Sequence, residues 1–402
     1  METILRPAIL ASSRASAVDR ARRHAPEIIV YCAVRLVGLV VLAAMAKHPG
    51  QLTSLLVKWD GSWYLGVARH GYDTALTHRP DGALVNTNIV FFPLYPLLIA
   101  AVGAVVGLAH GALLVSLAAG ILAAVAIRSI GELLYDKRTG VILAALWGGV
   151  LPTAVVESMA YTESLYTALA ALTVLFLIKE RWLAAGAAAF FAGLTHPTGV
   201  AAALTIAVCL LAVLLRREHG GRDGSSDGGR GWAPWVATAL APLGILGYLA
   251  WVGIALGRVD GFTYMEEKGW GSSPSITGVW HQITTSATHP LPLGYRVPVF
   301  VLAASLACAV LLTVSLTSPA RRRRGLPVLA FAWFSIALAL FIGPTYFHAE
   351  ARFLMPDFPL LLPPAVFLAR RSLYLSVPVI AACTLASAWY GGYLLTIWTH
   401  SP

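Results

Sequence analysis

The chain has 402 residues, of which 58% are hydrophobic and 12% charged, with a mean hydropathy of +0.73. Soluble domains carry about 25% charged residues, so a soluble enzyme, a disordered chain and a small secreted disulfide scaffold are excluded. The formal net charge of +10 is read as cytoplasmic loops enriched in Lys and Arg, not as a nucleic-acid surface.

In chain order, residues 1–27 form a basic, polar N-terminal tail (Arg14, Arg20, Arg22, Arg23), assigned to the cytoplasm. An apolar stretch follows at 27–46. Its end, Ala44-Met45-Ala46, has a faint signal-peptidase character. The run is longer than a signal core, however, and everything downstream is also membrane-like, so it reads as a retained first span. Arg35 lies inside this span, within snorkelling reach of the cytoplasmic surface. Further spans are expected near 111–130, 139–155, 162–179, 182–195, 198–215, 233–256, 297–317, 326–343, 353–369 and 373–395. The expected fold is therefore an all-α polytopic membrane protein with about 11 transmembrane helices (about 10–12), a single domain over 28–395.

Parity decides the segment after Phe91-Phe92-Pro93-Leu94-Tyr95-Pro96. Residues 97–109 are too few for an ordinary crossing. If they cross, every later basic loop falls outside; if they do not, Lys137-Arg138, Arg216-Arg217, the arginine run 321–324 and Arg370-Arg371 all fall inside. The positive-inside rule selects the second choice. The N-terminus is then inside and the C-terminal tail, 396–402, outside. This leaves a long first outer loop (47–110) with interfacial helices, a flexible cytoplasmic loop (216–232) and a second large outer loop (257–296). The glycine-rich stretch in 216–232 lacks the order of a phosphate-binding loop. The four cysteines sit singly in apolar runs and give neither a disulfide framework nor a metal pattern.

With this topology the unusual polar residues gather on one side. Trp59, Trp63 and Val67 are spaced i, i+4, i+8, an apolar stripe suited to an interfacial helix, with Asp60 one residue off it. Asp60 fits either an N-cap carboxylate or a base held at the membrane surface beside a lipid-linked substrate. Other outer clusters are Glu157 with Tyr161, Thr162, Glu163 and Ser164; His196-Pro197; and Tyr346 through His348, Glu350 and Arg352. Four clusters on one side point to a shared site. Trp270, Trp280, Tyr264 and Tyr295 with Glu266 and Glu267 in the second outer loop have the composition of a sugar-binding surface and equally of an aromatic belt. His348 and Glu350, two apart, do not match helical metal-ligand spacing, and no metal site is expected.

The series Trp59-Asp60-Gly61-x-Trp63-Tyr64, His70-Gly71-Tyr72 and Phe91-Phe92-Pro93-Leu94-Tyr95-Pro96 resembles the first luminal loop of the PIG-V family. That family comprises the second GPI mannosyltransferases and their bacterial, chiefly actinobacterial, relatives. Further similarities are Ala160-Tyr161-Thr162-Glu163-Ser164-Leu165, Leu194-Thr195-His196-Pro197-Thr198-Gly199 and His348-x-Glu350-x-Arg352-Phe353, in family order over nearly the whole chain. Many relatives have Arg before the Pro or Ser where this chain has His196. The resemblance implies a GT-C glycosyltransferase of the bacterial plasma membrane with its active site facing outside. It implies an inverting single displacement from a polyprenyl-phosphate sugar, mannose being the family's sugar, with no cofactor and no divalent metal expected. The family's essential acid corresponds to Asp60.

The remaining assignments follow from topology and chemistry. An acceptor hydroxyl needs a base within hydrogen-bond reach, the role given to Asp60. A departing phosphate needs cations or N–H donors: Arg352, with His348 and His196 behind it. Trp59, Trp63, Tyr64, Tyr161, Glu163 and Glu350 are assigned to the acceptor and sugar. The expected partners are the lipid-linked donor, a glycolipid, glycan or protein acceptor, and membrane lipids, with no nucleic acid. A transporter or flippase of lipid-linked sugars is the alternative; it would show an internal repeat and polar sites near the midplane, and neither is visible.

Overall fold

The computed structural model describes residues 5–48, 50–218, 231–272, 275–289, 291–342 and 347–402. Among these the secondary structure is helical, apart from one isolated bridge between His78 and Leu84. In chain order the helices are α1 (Leu5–Met45), α2 (Gln51–Leu56), α3 (Asp60–His70), α4 (Leu94–Val106), α5 (Leu108–Leu134) and α6 (Lys137–Val150). Next come α7 (Glu163–Ile178), α8 (Trp182–Gly193), α9 (Val200–Glu218), α10 (Ala233–Leu240), α11 (Leu243–Leu256) and α12 (Gly261–Tyr264). The last six are α13 (Ile276–Thr288), α14 (Leu293–Leu316), α15 (Pro319–Ile342), α16 (Glu350–Phe353), α17 (Leu362–Ala369) and α18 (Leu373–Thr396).

Each expected span contains helix, but the helices differ in reach. Seven described helices or helix pairs are long and apolar enough to cross a bilayer; one is the broken pair α10–α11. The bent pair Phe347–Phe353 and Phe358–Ala369, folded by 75°, would make an eighth. Helix α7 has 16 residues, α6 14 and α8 12. At about 1.5 Å per residue they fall short of a bilayer core about 30 Å thick. By length and composition, fewer of the described helices pass as full spans than the sequence has apolar segments. The sequence shows these segments as runs, while Pro152, Pro197 and Pro242 interrupt helix continuation next to or between them.

The N-terminal region read as a tail is helical from Leu5 and continuous with the first span, with Pro26 inside the helix. Arg35 also departs from expectation. It is 5% exposed and turned into the bundle, where it donates to the Gly148 carbonyl at 2.8 Å and to Ser158 Oγ at 3.0 and 3.1 Å. A guanidinium with these acceptors to hand has no need of the membrane surface. Most of the predicted loop at 216–232 lies outside the described residues, as does Tyr346.

Small residues set the packing. Helix α5 is the central strut, against α1, α4, α6 and α7. Gly107, at φ 84, turns α4 sharply into α5, and a methyl group on Gly111 would fall 2.8 Å from the Gly103 amide. Tyr95 of α4 bonds Ser116 Oγ at 2.7 Å, so α4 runs beside only the first part of α5. Tyr31 of α1 is fully buried between Gly120 and Gly148, stacked on Trp147. Both sites lack room for a side chain, so α1 lies close against α5 and α6. The other end of α5 lies far from the α4–α5 turn, since 27 residues of helix span about 40 Å, and there Tyr135 meets Arg321 near the start of α15, a helix of 24 residues and about 36 Å.

Candidate active site

Asp60 is the first residue of α3, and an unusual backbone positions it. Trp59 has φ 53 and ψ −119, a region a bulky residue enters only when its surroundings hold it there, at about 1–3 kcal/mol. The indole packs in the cluster of Leu42, Leu55, Leu56, Val155 and Tyr161. Its carbonyl accepts from the Ser62 amide at 2.9 Å and from Ser62 Oγ at 2.6 Å. The Asp60 amide donates to Tyr161 Oη at 3.3 Å. Gly61 lies against the 160 backbone, where a Cβ would meet the Ala160 methyl at 3.2 Å. The three neighbours Trp59, Asp60 and Gly61 thus supply a clamped indole, a fixed carboxylate, and a residue small enough to bring both down onto the loop before α7.

Two distant segments complete the centre. Glu163 opens α7 and is buried. Arg352 is on α16, in a segment pinned by Thr153 Oγ1 donating to the Ala351 carbonyl and by Trp147 Nε1 donating to the Met355 carbonyl, both at 3.2 Å. The Arg352 guanidinium reaches Asp60 Oδ2 at 2.5 Å and Glu163 Oε1 at 3.4 Å. The Tyr161 ring lies 5.2 Å from it. Side-chain exposure orders the three: 9% for Arg352, 4% for Glu163 and 26% for Asp60. The accessible member is the carboxylate of Asp60.

The other assigned residues divide by surroundings. His196 Nδ1 lies 2.6 Å from Thr198 Oγ1 and accepts from the Thr198 amide at 3.2 Å, which leaves Nε2 to carry the proton. Burial and the charge of Arg352 push its pKa down to about 3, so it offers an N–H rather than a cation. His348 lies against His400 and Tyr295, at centroid distances of 5.3 and 6.2 Å. Tyr64 is buried, its hydroxyl 3.3 Å from Thr162 Oγ1. Trp63 stacks on Phe91 and meets Trp270 edge-on, and Trp59 is committed to its own cluster. Glu350 is wholly enclosed, without a hydrogen-bond partner among the described residues, so it has no open face toward a sugar. Among the described residues no three His, Cys, Asp or Glu side chains converge as metal ligands do.

Two residues join the site without having been assigned to it. Glu266 lies in a π-helical turn, Met265–Gly269, whose Met265 is buried against Leu84, Ile89 and Phe92. Burial pushes its carboxyl up to about 7; a hydrogen bond with Ser272 opposes this and the negative charge of Asp60 adds to it. Its sequence signal is an acid beside Trp270 in an aromatic loop, shared with Glu267. Ser401 of the C-terminal tail places its Oγ 3.2 Å from Tyr161 Oη, and nothing in the sequence marks it.

No protein-family profile matches the chain, and no curated protein sequence does, so the likeness to PIG-V rests on the motifs themselves. Solved structures do match. ArnT from Cupriavidus metallidurans bound to undecaprenyl phosphate superposes with a TM-score of 0.53 at 14% identity, covering 92% of this chain and 76% of that one. The apo oligosaccharyltransferase of Archaeoglobus fulgidus gives 0.47 at 11% identity, covering 92% and 56%. Among the described residues the chain is helical, with seven helices, or eight with the bent pair, long and apolar enough to cross a membrane, and it has the fold of ArnT.

Proposed function

We propose that the protein is a membrane glycosyltransferase of the PIG-V type that moves a sugar, mannose, from a polyprenyl-phosphate donor to an acceptor hydroxyl on the extracytoplasmic face. The observation that carries this reading is one accessible carboxylate, Asp60, clamped by a buried arginine. The match to ArnT, a protein seen bound to undecaprenyl phosphate, supports a lipid phosphate as the donor's anchor.

The chemistry follows from the competition for Arg352. Before the donor arrives, the guanidinium neutralises Asp60 and occupies one of its oxygens. A donor phosphate is a strong, bidentate competitor for the same N–H groups. As it takes Arg352, Asp60 is released to accept the proton of the acceptor hydroxyl. The acceptor oxygen attacks the anomeric carbon from the face opposite the phosphate, and the bond between that carbon and the phosphate oxygen breaks. The electron pair leaves on the lipid phosphate, beside Arg352 and the Nε2–H of His196, and the anomeric configuration inverts. Glu163 keeps Arg352 oriented throughout. Trp63, Trp270 and Glu266 line the approach for the acceptor.

Asp60→Asn is the test. It is expected to lower transfer from polyprenyl-phosphate mannose by at least about 100-fold, the scale of a lost general base, with insertion and yield unchanged. Transfer at the wild-type rate would remove Asp60 as the base.

A further inference from the structure

The end of the bundle remote from Asp60 carries a groove lined by arginines. Helix α15 runs about 36 Å from Pro319 to Ile342, with Arg321 near its start and its far end ten positions before Arg352 in the chain. Helix α17 likewise runs away from Asp357 to Arg370 and Arg371. At that far end a groove of about 550 Å³ opens between α14, α15 and α17, lined by Tyr135, Leu311, Val366, Arg321, Arg370 and Arg371 among others.

Topology alone accounts for basic residues at this end, but not for their arrangement. Three arginines from two stretches of chain about fifty positions apart line one cleft. Arg321 lies over the Tyr135 ring at 4.3 Å, and Arg371 over Phe367 at 4.7 Å. Aromatic faces thus hold two of the three in place. Among the described residues no carboxylate pairs with any of the three, whereas Arg323, two positions from Arg321, is paired with Glu180. Below the cations the wall is apolar: Leu311 is exposed on the outside of the bundle and Val366 partly buried. Tyr135 Oη donates to Ser315 Oγ at 3.3 Å, adding hydroxyls at the rim.

The groove therefore offers fixed positive charge above an apolar wall that continues onto the membrane-facing surface. A soluble anion would use only the upper half. A protein partner's acidic side chain would leave the apolar wall uncovered. An anionic glycerophospholipid uses both, its phosphate among the arginines and its first acyl carbons along Leu311 and Val366. Basic pockets between transmembrane helices on the cytoplasmic side take such headgroups, and the volume lies within the range of ligand pockets, about 300–1,000 Å³.

We infer that this groove, formed by Arg321, Arg370 and Arg371 over Leu311 and Val366, is a binding site for the headgroup of an anionic glycerophospholipid. The site is separate from the donor site and does not depend on the reaction proposed above.

The test is native mass spectrometry of the full chain in detergent with equal amounts of phosphatidylglycerol and phosphatidylcholine. Wild type is expected to retain phosphatidylglycerol at least about tenfold better, the ratio that about 1.4 kcal/mol of differential binding gives. Arg321→Gln/Arg370→Gln/Arg371→Gln should abolish that preference. Arg322→Gln/Arg324→Gln/Lys137→Gln, with the same charge change outside the groove, should keep it. Leu311→Trp, which fills the apolar half and leaves every charge, should weaken retention and provides the readout if the triple arginine variant fails to insert. Equal loss in both triple variants would mean diffuse electrostatic attraction and overturn the site. Displacement of the lipid by millimolar inorganic phosphate, or full retention in Leu311→Trp, would also overturn it.

Discussion

Arg352 sits between two carboxylates with little water to share the charge, so its removal should be felt in stability as well as in catalysis. The neighbours respond differently. Asp60 is partly exposed and can be rehydrated, whereas Glu163 is 4% exposed and would be left as a buried charge without its cation. Leaving one member of a buried pair unpaired costs about 3–5 kcal/mol. Arg352→Ala is therefore expected to lower the melting temperature by several degrees and to raise the apparent KM for the donor. Adding Glu163→Gln should recover most of the stability, because the orphaned charge is gone, and none of the donor affinity. A double-mutant cycle read by thermal melt and by donor titration separates the two effects. If Glu163→Gln restores donor affinity as well, Arg352 acts on fold alone. The candidate acid was legible in the sequence because its motif is local: Trp59, Asp60 and Gly61 are neighbours. Its pairing with Arg352 is not, since the partners are 292 positions apart and the sequence places Arg352 only by side of the membrane and by chemistry. Ser401 was invisible because a lone serine in a polar tail carries no signal until the tail is seen against Tyr161.

At the scale of elements, short pieces between the long helices carry the site, and each has its own test. Helix α3 contains two glycines with opposite surroundings. A methyl group on Gly61 would press on Ala160 from 3.2 Å, while one on Gly66 would meet nothing within 4 Å. Gly61→Ala is expected to push the start of α3 off the loop before α7, moving Asp60 and lowering turnover by about tenfold or more, since small displacements of a reacting group are costly. Gly66→Ala should leave turnover intact and raise stability by up to about 1 kcal/mol through helix propensity. Equal activity of the two variants would mean that the contact of α3 with Ala160 does not set the position of Asp60. The π turn at Met265–Gly269 makes a pH prediction. Burial raises the carboxyl of Glu266 to about 7, against about 4.3 in an unfolded chain. The folded protein then holds this proton more tightly than the unfolded one. The contribution is fully present below about pH 4.3 and is lost as pH rises to about 7. Glu266→Gln should remove that loss, so thermal melts of the variant and wild type should draw apart between pH 5 and 8, with the variant the more stable at pH 8. Parallel curves would mean that Glu266 ionises as it does in water. Apolar runs made the helices legible, and their lengths less so. Residues 233–256 read as one stretch, yet the chain breaks at Ala241-Pro242, and the fold at 347–369 bends by 75° where the sequence shows a single apolar segment beginning at 353.

For the molecule as a whole, the two ends of the bundle differ in the kind of charge they hold. One end sets Asp60 and Glu163 against one enclosed arginine, Arg352, with Glu266 near enough to feel the charge of Asp60. The other carries the arginines of 321–324 and 370–371, of which Arg323 alone is paired with an acid among the described residues. Between them Arg35 sends its guanidinium toward Ser158 and Gly148, so the first span contributes a cation to the interior of the bundle. That the ends are opposite follows from helix length; the orientation proposed here puts the arginine-rich end inside, because Lys and Arg are retained on the cytoplasmic side during insertion. The proposed topology therefore places the sugar chemistry outside, where a polyprenyl-linked donor needs no nucleotide. Two substitutions at exposed positions remote from the site decide it. Ala75→Cys lies in the first outer loop and Thr317→Cys at the end of α14, both exposed. A membrane-impermeant maleimide applied to intact cells, above the background of the four native cysteines, is expected to label Ala75→Cys at once and Thr317→Cys only after lysis. The reverse pattern would put Asp60 in the cytoplasm, where a sugar nucleotide is at hand, and the proposed donor would have to be abandoned. Labelling of both in intact cells would place the two ends on one side, which the length of α15 forbids for a helix that crosses the bilayer.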